Sequence, residues 1–326
     1  MKQKNLPDDI KSKSLDELKE ILNNLVEKIE KNKASNQSEE DYLEIFKLNK
    51  FIEKKFQNTS REISEKNKLK IKQILKKDGK KIRSKIIVDV GKIFSVPYYH
   101  LVRVGAAVEC IHAYSLIHDD LPCMDNDDLR RGKLSTHKKF GEATAVLAGN
   151  SLLTLAFEIL SEKSFKISEN KKSKLINLLS NTSGHLGIAG GQYLDLSFEK
   201  KRVSKRKIID MQLNKTGKLF SFSTIAPLII ANKFGKINQF KKIGLDIGLL
   251  FQIIDDFLDY SGSEKKIGKK TGKDKKKGKA TLISLLGYKN AVKYSSYLKK
   301  RIIFSLSKYR SKDLIETVEF VVNRKK

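Results

Sequence analysis

The stretch SLIHDDLPCMDNDDLRRGK, residues 115–133, contains five aspartates within ten positions and two arginines directly after them. The segment before it, from Val108 to Ile117, is apolar and predicts a helix that ends at Pro122. Carboxylates that end a buried helix repel one another unless a cation lies between them. We therefore expect the loop after this helix to fold back and bring Asp125 towards Asp119.

A second polar stripe lies in FQIIDDFLDY, residues 251–260. Its polar side chains recur at the i, i+3, i+4 and i+7 positions of a helix, so they share one face. They are Gln252, Asp255, Asp256 and Asp259. The other residues of this helix are apolar nearly all the way round, which favours a stripe that lines an internal cavity over the alternative of a solvated face.

Two such clusters indicate a magnesium site. Mg²⁺ prefers one or two carboxylates, several waters and phosphate oxygens. The sequence lacks the EF-hand spacing of calcium loops, and its five histidines are not grouped for zinc. Basic residues that suit phosphate groups occur in DGKKIRSK (78–85), NKTGK (214–218) and IGKKTGKDKKKGKAT (267–281).

The charge balance is strongly basic, with 67 Lys and Arg against 38 Asp and Glu, a net charge of +29. A charge of this size is typical of nucleic-acid-binding proteins. The lysines are nevertheless spread along the chain among Asn, Ile and Phe, which AT-rich codons also encode, and only residues 265–279 form a compact basic block. Coding bias therefore explains the charge without a nucleic-acid partner.

The composition also indicates the cellular compartment of the protein. Two cysteines, Cys110 and Cys123, exclude a disulfide framework and favour a reducing, cytoplasmic location. No apolar signal segment opens the sequence. The apolar stretch from Ala143 to Leu160 contains Asn150, Ser151 and Glu158, so it predicts a buried helix rather than a membrane span.

The apolar periodicity predicts an all-α protein, because glycines number 19 and prolines only 4 in 326 residues. The most apolar predicted helices are 98–120, 141–161, 172–188, 204–232 and 238–260. More polar helices are predicted at 15–32 and 40–57. We expect an accessory N-terminal helix in residues 1–38 and one all-helical domain in residues 39–326.

At these motifs the chain resembles a known family. DDLPCMD (119–125) and DDFLD (255–259) are similar to the two aspartate-rich motifs of trans-prenyltransferases, the polyprenyl synthases. The strings CIHAYSLIHDDL, DDLRRG, HKKFGEA, AGGQYLDL, NKTGKLF and GKKTGKD are similar, in the same order, to bacterial farnesyl diphosphate synthases. The resemblance covers residues 70–325. It implies the isoprenoid synthase fold, a single helical bundle around a central active-site cavity, together with a homodimer and three Mg²⁺ ions per active site.

The resemblance also implies the reaction. Dimethylallyl diphosphate, and then geranyl diphosphate, would condense with isopentenyl diphosphate to give farnesyl diphosphate, by ionisation, condensation and proton elimination. Geranyl or geranylgeranyl diphosphate synthesis by the same family is the nearest alternative.

Roles follow residue by residue from the same resemblance. The implied metal ligands are Asp119, Asp120, Asp125, Asp255, Asp256 and Asp259. The implied ligands of the allylic diphosphate are Arg130, Lys215, Lys269 and Lys279, and those of isopentenyl diphosphate are Lys80, Arg83, His112 and Arg131. Thr216 and Gln252 would line the reacting centre and bind substrate; the implied catalytic set is Asp119, Asp125, Lys215, Thr216, Gln252 and Asp255. Asp78 and Ser84 depart from the family pattern, which leaves the affinity for isopentenyl diphosphate open.

Tyr114 and Ser115 are the implied chain-length residues. On an ideal helix Tyr114 lies about 140° from Asp119, so geometry alone does not direct it into the substrate tunnel. The alternative is a tyrosine of the core.

Three other functions remain open. An HD-type phosphohydrolase would use His112, His118 and Asp119, but it leaves the second aspartate motif unexplained. A basic nucleic-acid-binding helical protein would explain the charge but not buried carboxylates. An inactive family member is the third. His118 is expected to be a packing or hydrogen-bonding residue.

Overall fold

The computed structural model describes residues 81–130, 132–199, 201–261 and 281–324, together with Glu17, Glu20 and Ile21, which are helical. The chain divides into two compact units, Met1–Lys80 and Lys81–Lys326, and nearly all described residues belong to the second. The predicted helix 40–57, most of helix 15–32 and the predicted domain boundary after residue 38 lie outside the described residues, so the domain assignment stays a prediction.

Helices make up nearly all of the described second unit. They are α1 (Ile82–Ile93), α2 (Tyr98–Asp119), α3 (Thr136–Phe140), α4 (Glu142–Ser161), α5 (Glu169–Ser183), α6 (Ile188–Phe198), α7 (Lys205–Gln212), α8 (Lys218–Ile230), α9 (Ile237–Ser261), α10 (Leu282–Leu286), α11 (Tyr288–Leu306) and α12 (Lys312–Asn323). A π-helical turn, Leu213–Gly217, joins α7 to α8, and a 3₁₀ turn, Phe234–Lys236, precedes α9. The strands β1 (Leu129–Arg130) and β2 (Lys133–Leu134) pair antiparallel, with Leu129 opposite Leu134. The all-α prediction is confirmed.

The boundaries differ from the sequence prediction in two places. The predicted helix 204–232 is interrupted by the π-helical turn, which holds Lys215 and Thr216. The predicted helix 172–188 is displaced to Glu169–Ser183, and Gly184 and Gly187 separate it from α6, which the sequence did not predict. The second difference arises at a turn where glycines interrupt the apolar periodicity.

Helix α8 lies at the centre of the fold, where every residue from Leu219 to Ile230 is buried. Phe220 and Leu228 belong to one hydrophobic cluster, shared with α1, α9, α11 and α12. Leu219 and Phe222 belong to a second cluster, shared with α2, α4 and α5. A helix that is apolar all round is expected between two layers of neighbours, and α8 therefore holds the two halves of the core together.

Helix α4 corrects the prediction of a buried helix. Only 22% of its most apolar 18-residue window is buried, and Leu147 is 54% exposed. Among the described helices it is also the one long and apolar enough to cross a membrane by length and composition. The prediction fails for the single chain because α2, α3 and α5 cover only part of the surface of α4.

Candidate active site

The first aspartate cluster lies where α2 ends and the chain turns back. The backbone N–H of Asp125 donates to the carbonyl oxygen of Asp119 over 2.8 Å, and the N–H of Asp127 donates to that of Asp120 over 3.1 Å. The predicted return of Asp125 to Asp119 is confirmed for the backbone. The helix itself ends at Asp119, three residues before Pro122.

The carboxyl group of Asp119 is electrostatically strained. Burial raises the pKa of Asp119 to about 6, and the neighbouring carboxylates of Asp125 and Asp120 act in the same direction. The positive charges of Lys215 and Arg130 oppose the shift without cancelling it. A carboxylate in this situation is stabilised by an additional cation, as a metal site requires.

Asp120 differs from Asp119 because its carboxylate pairs with an arginine. Its carboxylate is buried, and both oxygens accept from Nε of Arg130 over 3.1 Å, while Nη2 of Arg130 contacts Oδ1. Nη2 of Arg130 also lies 3.8 Å from Asp127. The sequence predicts Asp120 as a metal ligand; in the structure its carboxylate pairs with Arg130, and the predicted role stays a prediction. Asp120 therefore holds Arg130 beside the first cluster.

The three carboxylates of the second cluster differ in their exposure to solvent. Asp256 is buried, and its oxygens accept from Nε2 of Gln252 over 3.1 Å and from Nε2 of Gln212 over 3.5 Å. Asp255 is more accessible, with 44% of its side chain exposed, and Asp259 is partly exposed. Of the three carboxylates in this stripe, only Asp256 is buried, and it holds Gln252 in place. Its predicted role as a metal ligand stays a prediction.

The π-helical turn joins the two clusters. Nζ of Lys215 donates to Asp195 over 2.6 Å, and the charge of Lys215 opposes the rise in the pKa of Asp119. The hydroxyl of Thr216 donates to Oε1 of Gln252 over 3.1 Å. The charge of Lys215 therefore acts on the first motif, while the next residue, Thr216, contacts the second. π-Helical turns of this kind occur frequently at functional sites.

Two glycines let neighbouring helices approach this turn closely. A Cβ at Gly191 of α6 would lie 2.2 Å from the backbone nitrogen of Lys215, and a Cβ at Gly248 of α9 would lie 2.5 Å from Cα of Gly217. Any side chain at either position would push the backbones apart. The π-helical turn is thus held from both sides, which fixes the positions of Lys215 and Thr216.

Arg83 lies on the aromatic side of the site. Its guanidinium carbon is 4.7 Å from the ring centre of Phe220 and 5.9 Å from that of Phe251. Cation–π contact with desolvated rings holds an arginine in place while its donors remain directed along the ring plane. Phe251 directly precedes Gln252, so Arg83 lies near the second cluster.

Three predicted site residues lie on α2 within two turns before Asp119. His112 is partly buried two turns before Asp119, and Ser115 is buried and donates to the carbonyl oxygen of His112 over 3.0 Å. The hydroxyl of Tyr114 donates to the carbonyl oxygen of Ser183 at the end of α5 over 3.4 Å. Tyr114 is therefore buried between α2 and α5.

His118 is a packing and hydrogen-bonding residue, as predicted. Its Nε2 lies 3.1 Å from the carbonyl oxygen of Val146, and its ring occupies the space that a Cβ at Gly149 would need. The side chain thus joins α2 to α4. The phosphohydrolase alternative requires His118 at the metal, and this placement removes its support.

Arg324 is the residue at this site that sequence reasoning missed. Its Nη2 donates to Asp255 over 2.6 Å and to the carbonyl oxygen of Phe251 over 3.0 Å, and its guanidinium lies 3.8 Å from the Phe251 ring centre. Burial lowers the pKa of Arg324. Nothing in the sequence separates this arginine from the other basic residues near it, whereas Asp195 lies within the AGGQYLDL string and could have been found.

Four predicted substrate ligands lie outside the described residues: Lys80, Arg131, Lys269 and Lys279. Nothing in the structure tests their roles. The described part of the site therefore consists of the two aspartate clusters, the π-helical turn, Arg83, Arg130 and Arg324.

The donor set fits magnesium. Within residues 81–324, as far as they are described, no three His, Cys, Asp or Glu side chains converge to hold a metal ion by themselves. Magnesium does not need such a group, because waters and phosphate oxygens complete its six ligands. The raised pKa of Asp119, with Asp125 beside it, indicates carboxylates that a divalent cation would stabilise.

A surface cavity of about 670 Å³ lies elsewhere, between α1 and the turn that joins α11 to α12. Its lining includes Asp89, Lys92, Arg310 and Asp313, and none of the predicted site residues. The candidate active site is therefore identified by the side-chain contacts of the two aspartate clusters, and this cavity is not part of it.

Comparison with known proteins gives a consistent result. A family model described as polyprenyl synthetase matches residues 66–323. The farnesyl diphosphate synthase of Bacillus subtilis (strain 168) is 44% identical over 246 residues, which cover 74% of this chain and 82% of the relative.

Two crystal structures extend the match to the fold. An apo FPP/GFPP synthase from Zymomonas mobilis has a TM-score of 0.69 at 40% identity and covers 76% of this chain and 85% of its own. A geranyltransferase from Helicobacter pylori, complexed with magnesium and isoprenyl diphosphate, has a TM-score of 0.67 at 34% identity and covers 76% and 83%.

Proposed function

The chain belongs to the polyprenyl synthetase family, and we propose that it acts as a farnesyl diphosphate synthase. It condenses dimethylallyl diphosphate with isopentenyl diphosphate, and then geranyl diphosphate with a second isopentenyl diphosphate. The observation that carries this proposal is the π-helical turn, in which Lys215 reaches the first aspartate cluster and Thr216 reaches the second.

We propose that Asp119 and Asp125 bind magnesium at the first motif and that Asp255 binds it at the second, three ions in all. Support comes from the raised pKa of Asp119 and from the accessibility of Asp255. When bound, the ions would offset the negative charge of the diphosphate group and so favour its departure from the allylic carbon. Asp120 and Asp256 act behind these ligands by holding Arg130 and Gln252.

Lys215 and Arg130 bind the allylic diphosphate in this proposal, together with Lys269 and Lys279. Lys215 is oriented by Asp195, and Arg130 by Asp120, so both cations are held before the substrate arrives. Preorganised positive charge stabilises the negative charge that collects on the departing oxygens and requires little reorganisation during the reaction.

Thr216 and Gln252 face the allylic carbons. The Thr216 hydroxyl donates a hydrogen bond to Oε1 of Gln252, and Nε2 of Gln252 donates one to Asp256. Because the Thr216 oxygen acts as a donor here, its lone pairs remain available to a cation. Neither group is a strong nucleophile. They can therefore stabilise the allylic cation without capturing it.

Isopentenyl diphosphate binds at Arg83 and His112, with Lys80 and Arg131, in this proposal. Holding its diphosphate apart from the allylic one directs the double bond at the cation. The apolar helices exclude water, which would otherwise quench the cation. No side-chain base is needed, because the departed pyrophosphate accepts the proton that leaves the condensed product.

The test is a product assay. The protein is incubated with labelled isopentenyl diphosphate, dimethylallyl diphosphate and Mg²⁺, and the lipophilic alcohols are extracted after phosphatase treatment. We expect farnesol as the main product and no elongation when EDTA is added. The absence of any elongated alcohol would reject the proposal, and the chain length of the product separates geranyl, farnesyl and geranylgeranyl synthesis.

Chain length depends on Tyr114 and Ser115 in this proposal. Replacing Tyr114 with alanine is expected to shift the main product from fifteen to twenty or more carbons, because it removes a buried ring below the first motif. Tyr114→Phe keeps the ring and loses only the contact with Ser183, so its product should stay at fifteen carbons. An unchanged product from Tyr114→Ala, separated by chromatography, would make Tyr114 a core residue only.

We also propose that α4 packs against a second copy of the chain. Its apolar surface is largely uncovered, and Val146 and Leu147 are exposed on it. Leu147→Glu is therefore expected to convert a dimer into a monomer, measured by light scattering after size exclusion. Phe304→Glu changes an exposed apolar residue of α11 and should leave the dimer intact. A wild-type monomer at micromolar concentration would contradict the proposal.

The remaining assignments follow from composition. We propose a cytoplasmic protein without a nucleic-acid partner, supported by the presence of only two cysteines, Cys110 and Cys123, and by the even spread of lysines. Tight DNA binding that weakens steeply with salt, in a protein without turnover, would favour the nucleic-acid alternative.

A further inference from the structure

Helix α11 presents a stripe of lysines and aromatic rings to the solvent. The stripe, called the α11 face below, consists of Lys289, Lys293, Tyr297, Lys300 and Phe304. On an ideal helix these five positions lie within about 80° of one another. All five residues are exposed, Tyr297 to 54% and Phe304 to 79%.

No acidic side chain of α11 offsets the charge of this face. The helix has five basic residues and no Asp or Glu, and the sequence from 275 to 312 has none either. Two of the five basic residues pair with acids of neighbouring helices, Lys299 with Glu319 over 3.3 Å and Arg301 with Asp246. The three lysines of the α11 face have no ion pair within the part of the chain that the structure describes. The face therefore presents positive charge that suits an anionic partner.

The two rings indicate which anionic partner fits. Single exposed apolar residues are ordinary, but here Tyr297 and Phe304 alternate with lysines along one stripe. Aromatic rings favour the boundary between lipid head groups and acyl chains, and a lysine can keep its carbon chain there while its ammonium reaches a phosphate. The phosphate backbone of a nucleic acid would satisfy the lysines but would leave Phe304 without an apolar partner. The observations therefore favour a bilayer.

We propose that the α11 face binds the surface of an anionic phospholipid bilayer and attaches the protein to it reversibly. The lysines contact the lipid phosphates, and the two rings enter the boundary with the acyl chains. The face lies outside the candidate active site, so its role is independent of the proposed function. Helices α4 and α11 contribute to different hydrophobic clusters, and the contact proposed between α4 and a second copy does not use this face.

A tryptophan at position 304 reports on the depth of binding. The chain contains no Trp, so Phe304→Trp introduces a single fluorophore of this kind. With vesicles of two parts phosphatidylcholine to one part phosphatidylglycerol, its emission should shift to the blue and be quenched by lipids brominated in their acyl chains. Vesicles of phosphatidylcholine alone should leave the emission unchanged, because they lack the net negative charge.

Tyr193→Trp is the matched reporter. Tyr193 is 71% exposed on α6, which packs against α5, α7 and the π-helical turn. Its emission should not be quenched by the brominated lipids.

Charge is tested separately by co-sedimentation with the same vesicles. Replacing the three lysines of the α11 face with glutamine should lower the partition coefficient roughly 100-fold, because each lysine near an anionic surface strengthens binding about fivefold. A matched variant loses the same net charge at three exposed lysines outside α11: Lys163→Gln, Lys166→Gln and Lys174→Gln. It should bind nearly as the wild type does. The changed side chains are exposed, so both variants should keep the wild-type thermal midpoint.

Selective loss of vesicle binding in the α11 variant, together with quenching at position 304, supports the proposal. Wild-type protein that does not bind the anionic vesicles, or equal losses in the two lysine variants, overturns it, since overall charge alone would account for equal losses. Absence of quenching at position 304 overturns it even if the lysine variants do not fold. Binding of single-stranded DNA through the same lysines, without vesicle binding, would indicate a nucleic-acid partner instead. A change of oligomeric state in the α11 variant would make the face a contact between copies of the chain.

Discussion

Replacing Asp119 with asparagine is expected to lower kcat by about 10³-fold under saturating Mg²⁺ and substrate. Asparagine keeps the shape of the side chain but removes the charge that holds the cation at the first motif. Asp210→Asn, on the exposed face of α7, removes one aspartate that the proposed site does not use and should retain full activity. Steady-state kinetics with geranyl diphosphate provide the measurement.

The same substitution should stabilise the metal-free protein. The pKa of Asp119 is raised from its ordinary value of 3.8 to about 6, so the folded state binds this proton more tightly than the unfolded state. The folded state therefore loses stability as pH rises from about 4 to above 6, and the full loss, on the order of 3 kcal/mol, remains at pH 7.5.

Asp119→Asn avoids that loss. In EDTA at pH 7.5 its thermal midpoint should exceed that of the wild type by about 5 °C, and the difference should disappear below about pH 4. Mg²⁺ with pyrophosphate should stabilise the wild type more than the variant. A variant that keeps a tenth of the wild-type kcat, or that is less stable at pH 7.5, would show that Asp119 is not a strained metal ligand.

Local spacing was enough to predict the two aspartate clusters and the helices that carry them. The 3.6-residue period sets which side chains share a face, so α2, α4 and α9 begin and end within a residue or two of their predicted bounds. Local spacing could not separate Asp119 from Asp120, or Asp255 from Asp256. The difference depends on Arg130 and Gln212, which approach from other segments of the chain.

The π-helical turn was not predictable for the same reason. The sequence from 204 to 232 has the period of one continuous helix, and the turn is held by glycines of two distant helices, Gly191 and Gly248. Arg324 was missed because a single arginine carries no signal among 67 basic residues. The exposure of α4 depends on which helices or partner chains pack against it, and the sequence of one chain does not specify them.

Replacing Lys215 with methionine is expected to lower kcat by about 10² to 10³-fold. Methionine keeps the length of the aliphatic chain and loses the charge that faces Asp119 and the allylic diphosphate. Lys207→Met changes an exposed lysine about two helical turns earlier in the chain and should behave as the wild type. A retained kcat in Lys215→Met would contradict the role of the π-helical turn.

The pH dependence should change in a defined direction. Lys215 is the largest favourable charge acting on Asp119, and without it the pKa of Asp119 rises further above its ordinary value. Mg²⁺ competes with the proton for this carboxylate, so the acid limb of the pH–rate profile should move to higher pH in Lys215→Met. An acid limb that stays in place would mean that Lys215 does not act on Asp119.

A double variant separates catalysis from folding. Lys215→Met removes the ammonium group that lies 2.6 Å from the buried Asp195 carboxylate, which should cost about 3 kcal/mol of folding free energy. Adding Asp195→Asn removes that buried negative charge, so the double variant should recover most of the lost thermal stability while kcat stays low. Recovery of kcat together with stability would place Lys215 in folding alone, because the ammonium group would then be dispensable once Asp195 is neutral.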